Sequence, residues 1–399
     1  MPDDGLLSEI TVLDLTEGAA GPFCTKLLAD YGARLIKVER PGRGDPARRA
    51  GPFPEGPNPD AGVLFLYLNT GKESITLDLS SRSARPIVLE LVEHVDAVIE
   101  SAPPGRLDAL GIGAKAMRQR NPRILVTNVS TFGTTGPYAD FRSTDLTAFA
   151  SGGQMSVSGD PGREPLLVAG HQAAFQTGMH AFGAVLAGLF SVGILEGGQE
   201  LEVAGMEVMA STLELLLSDY VYRNTDILSK RRGNVAAATL GVFPAADGHI
   251  GVHLMARNFD AFARAAGNAA LLEDERFRDA RARILHNDEL LAHVYQWAAG
   301  VTRARAYALA GEDRVMVAPV LTVPELLAHP HLRARNAFRE LDDPRAGTLT
   351  YPGPPFRPGE GEWELRPAPR LGEHNVDVYG ELLDLDKQDL VRLRAAGVI

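Results

Sequence analysis

The sequence has 399 residues and a formal net charge of −11. A chain of this length can bury a large core and is expected to hold two domains. Its acidic balance, without a dominant basic block, argues against nucleic acid as the main partner. The single cysteine, Cys24, excludes an internal disulfide framework and favours a reducing, cytoplasmic setting.

Neither a signal peptide nor a membrane-spanning segment is expected from the sequence. Met1 to Asp4 is acidic and lacks the pattern of a signal peptide. The most apolar helical stretch, Ala181 to Leu195, is shorter than the roughly 20 residues that cross a bilayer. We therefore expect no membrane partner.

The first unit of structure is predicted between Ile10 and Asp45. Thr11 to Thr16 and Arg34 to Glu39 mix β-branched and apolar residues over one strand length each. Between them, Phe23 to Tyr31 places apolar residues at helical spacing. A strand, a helix and a second strand form a βαβ unit, so an α/β fold with a parallel sheet is predicted.

The turn between this strand and helix does not match a dinucleotide-binding fingerprint, which needs G-x-G-x-x-G. It offers only Gly18 and Gly21, with Ala19 and Ala20 between them. Two interpretations stay open. Small residues let a phosphorylated ligand approach the helix N-terminus, or they permit close packing of strand and helix.

Strands and helices continue to alternate along the chain. Further strands are predicted at Ser74 to Leu79, Ala97 to Glu100 and Arg123 to Val129, with a helix at Pro86 to Val95. Asp377 to Ile399 is predicted as a docking C-terminal helix. The alternation strengthens the prediction of a parallel sheet.

Short motifs then recur in an order that spans nearly the whole chain. They are Val12-Leu-Asp-Leu-Thr16, Gly42-Arg-Gly-Asp45, Asn69-Thr-Gly-Lys72, Gly105-Arg-Leu-Asp-Ala-Leu-Gly111, Phe132-Gly-Thr-Thr-Gly-Pro137 and Pro369-Arg-Leu-Gly-Glu-His374. In this order they resemble the family III CoA-transferases, the group that includes formyl-CoA transferase, the carnitine CoA-transferases and α-methylacyl-CoA racemase.

The resemblance implies a domain organisation and an assembly. A large Rossmann-like, CoA-binding domain is expected over residues 1–225, a smaller inserted α+β domain over 226–320, and a C-terminal return to the large domain over 321–399. Ser229 to Gly233 is then a polar junction. Family members are homodimers whose two chains interlock, so the resemblance implies the same assembly here.

The resemblance also implies coenzyme A, as an acyl-CoA substrate, together with a small carboxylate molecule, and no metal. The adenine and phosphates are expected near Gly18, Ala19, Ala20, Arg40, Asn69 and Lys72. Arginine and lysine there would pair with phosphate oxygens. The family pattern is altered at Ser101-Ala-Pro103 and at Ala109, where an arginine often stands.

The largest departure from the family falls at Ala174. In the transferases a catalytic aspartate lies four residues before the glycine that Gly178 matches, and it attacks the acyl-CoA thioester to form a mixed anhydride. A methyl group cannot act as that nucleophile. The racemase route also lacks its histidine, because Thr144 occupies that position.

Three residues are candidates to replace the missing group. Asp145 could supply a carboxylate, or it could be a helix N-terminal residue or a hydrogen-bond anchor. His171 and Gln172 could act as base and oxyanion donor, or His171 could be a turn residue after Gly170.

Three functions follow for the chain. The first is a CoA-thioester-binding protein of the family III fold, with CoA-transferase activity as the inherited default. The second is a non-catalytic subunit paired with a homologous, aspartate-bearing chain. The third is a rewired enzyme that hydrolyses, eliminates or transfers the acyl group without an aspartyl anhydride.

Overall fold

The computed structural model of the protein describes residues 5–54, 56, 58, 60–159, 162–195, 197–223, 239–357 and 365–399. The predicted junction Ser229 to Gly233 and the predicted boundary between residues 225 and 226 lie outside these ranges.

Within the described ranges the chain forms eleven strands and seventeen α-helices. The strands are β1 Thr11–Leu15, β2 Arg34–Glu39, β3 Glu73–Thr76, β4 Ala97–Glu100, β5 Leu125–Ser130, β6 Glu200–Ala204, β7 Thr239–Ala245, β8 Gly248–Leu254, β9 Val317–Pro319, β10 Phe338–Asp343 and β11 Gly347–Pro352. The helices are α1 Ala20–Asp30, α2 Val63–Leu68, α3 Ala84–Leu91, α4 Arg106–Ala109, α5 Ala114–Arg120, α6 Asp145–Ser151, α7 Gln172–Leu195, α8 Gly205–Ser211, α9 Glu214–Arg223, α10 Phe259–Ala265, α11 Ala280–Leu285, α12 Asn287–Ala299, α13 Arg303–Glu312, α14 Val323–Ala328, α15 Pro330–Ala334, α16 Asn375–Leu383 and α17 Lys387–Ala395.

The main sheet has six parallel strands in the order β3-β2-β1-β4-β5-β6. The predicted α/β fold with a parallel sheet is therefore confirmed. The strand order reverses between β1 and β4, so the loops after these two strands diverge. In open parallel sheets, ligands bind in the crevice at the carboxyl ends of the strands at such a point.

Close packing between β1 and α1 explains one of the small residues in the first turn. Cys24 and Leu28 of α1 are fully buried against the sheet. A Cβ added to Gly21 would lie 2.4 Å from the side chain of Thr16, so only glycine fits there. Gly18 has a φ of +84°, a conformation that favours glycine for a different reason. Packing thus accounts for Gly21 but not for Ala19 and Ala20.

The chain divides into two compact units. The larger combines Met1–Ser158, Pro165–Thr225 and Asn336–Ile399, and the smaller combines Gly159–Glu164 and Asp226–Arg335. The larger unit contains the parallel sheet and the β10–β11 hairpin. The smaller contains the antiparallel sheet β7-β8-β9, whose core includes Phe243, Phe262 and Phe277.

The C-terminal segment forms two helices, so the prediction of a single helix from Asp377 is wrong. Asp384 adopts a left-handed conformation with a φ of +53°, which ends α16. The side chain of Asp386 then caps α17 by accepting hydrogen bonds from the amides of Gln388 and Asp389. Both helices reach the core of the larger unit, where Tyr379 and Leu390 are buried.

Helix α7 has 24 residues, so the expectation that the apolar stretch from Ala181 forms too short a helix is wrong. The helix begins at Gln172 because residues 172–180, which precede the apolar stretch, are also helical. By length and composition alone α7 could cross a bilayer, with a mean hydropathy of 1.8. It packs against α1, α8, β5 and β6, with Ala181 and Val185 fully buried.

We expect opposite effects from adding a methyl group at two glycines of α7. A Cβ on Gly178 would lie 2.4 Å from the carbonyl oxygen of Ala20, whereas a Cβ on Gly183 would meet nothing within 4 Å. Gly178→Ala should lower the free energy of unfolding by about 2–3 kcal/mol through overpacking. Gly183→Ala should leave it unchanged or raise it by up to about 1 kcal/mol. Urea denaturation measures both, and equal effects would contradict the close approach of α1 and α7.

Candidate functional site

A cavity of about 320 Å³ lies at the carboxyl edge of the parallel sheet. It is lined by Arg40, Pro41, Arg43, Asp78, Ser80, Arg106 and Gly397. The loops after β2, β3 and β4 supply most of these residues, and the C-terminal segment supplies the last. Three guanidinium groups against one carboxylate give the cavity an excess of positive charge, which suits an anion such as a phosphate.

Of the predicted CoA-binding residues, Arg40 lines this cavity. The sequence reasoning missed Arg43 and Arg106. Arg43 belongs to a motif that the family resemblance uses, in a turn closed by a hydrogen bond from the Gly44 amide to the Arg40 carbonyl (2.8 Å). Arg106 lies three residues before Ala109 on α4, on nearly the same helix face. An arginine is therefore present one turn from the position where the family often has one.

The predicted residues Gly18, Ala19 and Ala20 form the turn between β1 and α1 and are half-buried. Helix α1 begins without a side-chain cap and without an acidic residue in its first turn. The amide of Gly18 donates to Oδ1 of Asp45 (3.3 Å). The helix N-terminus is therefore electrostatically suited to a phosphate group.

Lys72 and Asn69 lie in the interior and not among the residues that line the cavity. The ammonium of Lys72 donates to Asp14 Oδ2 (3.0 Å), Thr25 Oγ1 (2.6 Å), Asn69 Oδ1 (2.9 Å) and the Pro22 carbonyl (3.1 Å). An ammonium has three donors, so this arrangement leaves Lys72 none for a ligand phosphate. The sequence could not reveal this, because its acidic partner is 58 residues away.

The pKa values of Lys72 and Asp14, which form a buried ion pair, are both shifted. Burial lowers the pKa of Lys72 to about 8, even though Asp14 favours its charged form. Burial alone would raise the pKa of Asp14, but the charges of Lys72 and Lys37 and hydrogen bonds from Thr16 and Thr25 hold it well below its ordinary value. Asp14 is therefore ionised in the folded protein at neutral pH.

The lowered pKa of Asp14 predicts that acid destabilises the fold. In the unfolded chain Asp14 would titrate near its ordinary value of 3.8, so below that pH the unfolded state binds more protons than the folded state. The stabilisation is present above pH 4 and lost as the pH falls further. Urea denaturation between pH 7 and pH 3 should show Asp14→Asn less stable than wild type at pH 7, by about 2 kcal/mol, with a shallower acid slope. Parallel slopes would contradict the assignment.

At the start of α7 the structure brings Asp145 directly to Ala174. The amide of Ala174 donates to Asp145 Oδ1 (2.8 Å). Asp145 is the first residue of α6, and Thr144 caps that helix. The other oxygen of Asp145, Oδ2, is buried and has no hydrogen-bond partner among the described residues. Asp145 thus holds the α6 and α7 starts together, and one of its oxygens is uncommitted.

The other two candidates flank the same helix start. His171 is exposed after Gly170, whose φ is +81°, and its carbonyl accepts a hydrogen bond from the Phe175 amide (2.9 Å). Gln172 is the first residue of α7 and is half-buried. The structure therefore places both within three residues of Ala174, with His171 in a turn.

The starts of α1 and α7 lie close together, which connects the predicted phosphate-binding turn with Ala174. Gly178 approaches the Ala20 carbonyl, and the rings of Phe23 and Phe175 meet edge to face with centroids 4.7 Å apart. Tyr67 packs against the same two rings. An apolar, aromatic wall thus runs from the first turn of α1 to the first turn of α7.

Among the described residues, neither the cysteine nor a cluster of metal ligands supplies a reactive group. Cys24 is buried, and burial raises the pKa of its thiol far above neutral pH, so it is not a nucleophile. Among the described residues no group of three or more histidine, cysteine, aspartate or glutamate side chains could hold a metal ion.

Comparisons with known proteins identify the family. The model of CoA-transferase family III matches residues 7–375. The chain is 32% identical to succinyl-CoA–D-citramalate CoA-transferase of Chloroflexus aurantiacus, with 98% of each chain covered. It is 33% identical to subunit BbsE of the succinyl-CoA:(R)-benzylsuccinate CoA-transferase of Thauera aromatica, covering 94% of this chain and 93% of that one.

A solved structure agrees. A CaiB/BaiF family protein from Brucella suis superposes with a TM-score of 0.82 at 28% identity, covering 95% of this chain and all of that one. The chain belongs to CoA-transferase family III, a family that acts on acyl-CoA thioesters. The resemblance predicted from the sequence is confirmed.

Proposed function

We propose that this chain binds an acyl-CoA thioester as part of a CoA-transferase, and that its own residue 174 takes no part in forming an acyl anhydride. The observation that carries the proposal is the contact between Ala174 and Asp145. Where the family's nucleophile is expected, the chain has a methyl group, and the carboxylate beside it is anchored by a backbone hydrogen bond. The chain keeps a site for the ligand without the group that would attack it.

Three features would bind the ligand, namely the cavity, the N-terminus of α7 and the aromatic wall. Arg40, Arg43 and Arg106 would pair with the phosphates of CoA. The first turn of α7 carries no acidic residue of its own, although the Ala174 amide donates to Asp145, so the helix dipole would favour negative charge on the thioester oxygen. The aromatic wall of Phe23, Tyr67 and Phe175 would contact the apolar part of the ligand.

An assembly of two chains is part of this proposal. Helices α7 and α9 expose large apolar side chains, with Phe190, Ile194 and Tyr222 each more than 60% exposed. Such faces are typical of surfaces that another chain covers. We propose that a second chain covers them, in the interlocked arrangement that the family resemblance implies.

A second candidate function is that of a non-catalytic subunit paired with a homologous chain that carries the aspartate. One observation favours it specifically: a relative 33% identical over 94% of this chain is named as one subunit of a CoA-transferase. In such an assembly this chain would supply binding and shape, and its partner would supply the nucleophile.

The proposal is tested by incubating the purified protein with succinyl-CoA and a panel of carboxylates. CoA exchange is followed by chromatography, and intact mass reports any acyl adduct, with Asp145→Asn as the control. We expect binding without exchange and without an adduct. Exchange with an adduct on Asp145 would overturn the proposal, because the uncommitted oxygen would then be the nucleophile. Exchange that appears only with a co-purifying homologue would favour the subunit function.

A further inference from the structure

A network of buried charges lies around the turn between β1 and α1. It contains Asp14 on β1, Lys37 on β2, Asp45 after β2 and Lys72 before β3, each 3% exposed or less. Desolvating ion pairs is costly, and apolar residues of similar size often serve stability as well or better. Core stability alone therefore does not account for four buried charges at this place.

The network binds the backbone of the turn at three points. Asp14 Oδ1 accepts hydrogen bonds from the amide (2.9 Å) and hydroxyl (2.6 Å) of Thr16. Lys37 donates to the Thr16 carbonyl (2.8 Å). Asp45 Oδ1 accepts from the Gly18 amide. The amides of Thr16 and Gly18 and the carbonyl of Thr16 thus pair with buried charged side chains, whereas the Glu17 amide between them donates to the Ser101 hydroxyl (3.0 Å).

Asp45 links this turn to the turn that carries two of the cavity arginines. Its Oδ1 also accepts from the Ala47 amide (2.8 Å), and its own amide donates to Glu39 Oε2 (2.9 Å). Arg40 to Gly44 lies directly before it. Lys37 holds the other oxygen of Asp45 at 3.0 Å. One carboxylate therefore connects the turn before α1 with the segment that carries Arg40 and Arg43.

We infer that Asp45, supported by Lys37 and Asp14, is a positioning residue that fixes the Thr16–Gly18 turn relative to Arg40–Gly44 before CoA binds. This inference rests on the proposed function for its ligand. A preformed site binds more tightly because less ordering remains to be done in the complex. Asp45 touches no ligand itself and acts through the two turns.

Two substitutions separate positioning from general stability. Asp45→Ala removes the acceptor for the Gly18 and Ala47 amides, whereas Asp45→Asn keeps an oxygen in its place. Hydrogen exchange of the peptide containing Thr16 and Gly18 is measured without ligand, and CoA affinity is measured by calorimetry. Asp45→Ala should speed exchange and weaken CoA binding, each on the order of 10-fold. Asp45→Asn keeps an acceptor for both amides but loses the ion pair with Lys37, so its exchange rate and CoA affinity should fall between those of wild type and Asp45→Ala.

Lys26→Met is the matched control. Lys26 is a buried cation on α1, and its ammonium pairs with Asp30 (3.0 Å) and Thr70 (2.7 Å). The structure shows no hydrogen bond from this ammonium to residues 16–18. It should lower the melting temperature while leaving exchange at residues 16–18 and CoA affinity near wild type. Unchanged exchange in Asp45→Ala, or equal acceleration in Lys26→Met, would overturn the inference. If the wild-type protein fails to bind CoA, the proposed function fails, and exchange at the turn still decides the role of Asp45.

Discussion

Replacing Ala174 by aspartate is expected to give the chain a CoA-exchange activity that it lacks when tested alone. Ala174 is the third residue of α7, at a helix start with no acidic side chain in its first turn, so the helix stabilises a negative charge there. The family mechanism needs a carboxylate at this position to accept the acyl group. We expect exchange to rise by about 100-fold or more above the wild-type background, with a trapped acyl adduct.

Ala174→Asn is the control for this gain, because it has nearly the same shape without a nucleophile. The new carboxylate would lie near Asp145, and like charges at short range raise the pKa of one member of such a pair. Exchange by Ala174→Asp should therefore increase with pH before it levels off. Equal rates in the Asp and Asn variants would show that the pocket lacks more than its nucleophile.

Reversing the charge of Arg40 should abolish most CoA binding. Arg40 shares the cavity with Arg43 and Arg106, and a glutamate there would both remove a phosphate partner and repel the phosphates. We expect Arg40→Glu to weaken CoA affinity by about 100-fold, and Arg106→Ala by about 10-fold, in calorimetric titrations at low salt. Because the contacts are exposed, the affinity of the wild-type protein should itself fall as salt is raised.

The control for charge is Arg264→Glu, an exposed arginine on α10 in the smaller unit. It changes net charge equally and should leave CoA affinity within about twofold, since surface charges beyond a Debye length are largely screened. Weakened binding in this variant as well would assign the effect to overall charge. Normal binding by Arg40→Glu would place the CoA phosphates elsewhere.

The sequence was most informative where structure depends on local pattern. The β1–α1–β2 unit follows from hydrophobic periodicity over some 30 residues, and its parallel pairing follows from the chirality and length of the connection. Arg40 lines the cavity because it follows a strand at the carboxyl edge of the sheet, and its contact with a CoA phosphate stays a prediction. The family resemblance added the position of Ala174, which no periodicity reveals.

Features that depend on distant segments were missed. Arg106 reaches the cavity of Arg40 because α4 follows β4, which lies two strands from β2 in the sheet. Lys72 is a residue type that often pairs with phosphate, yet its ammonium forms a buried ion pair with Asp14 of another strand. The break between α16 and α17 rests on one left-handed residue, Asp384, which the helical pattern conceals. In each case the position of the residue depends on the order of the strands or on the backbone conformation, which the local sequence pattern does not reveal.

The assembly of the larger unit from three separate stretches constrains how this protein is made. Val378, Tyr379, Val398 and Ile399 fill the same core as Ile36 and Val98, so that core is incomplete until residues 378–399 have been synthesised. Until then the sheet exposes apolar surface on the nascent chain. The stretch Asp226–Arg335 is synthesised before residues 378–399 and can fold earlier. During synthesis, chaperones should therefore bind mainly to the Met1–Ser158 stretch of the larger unit.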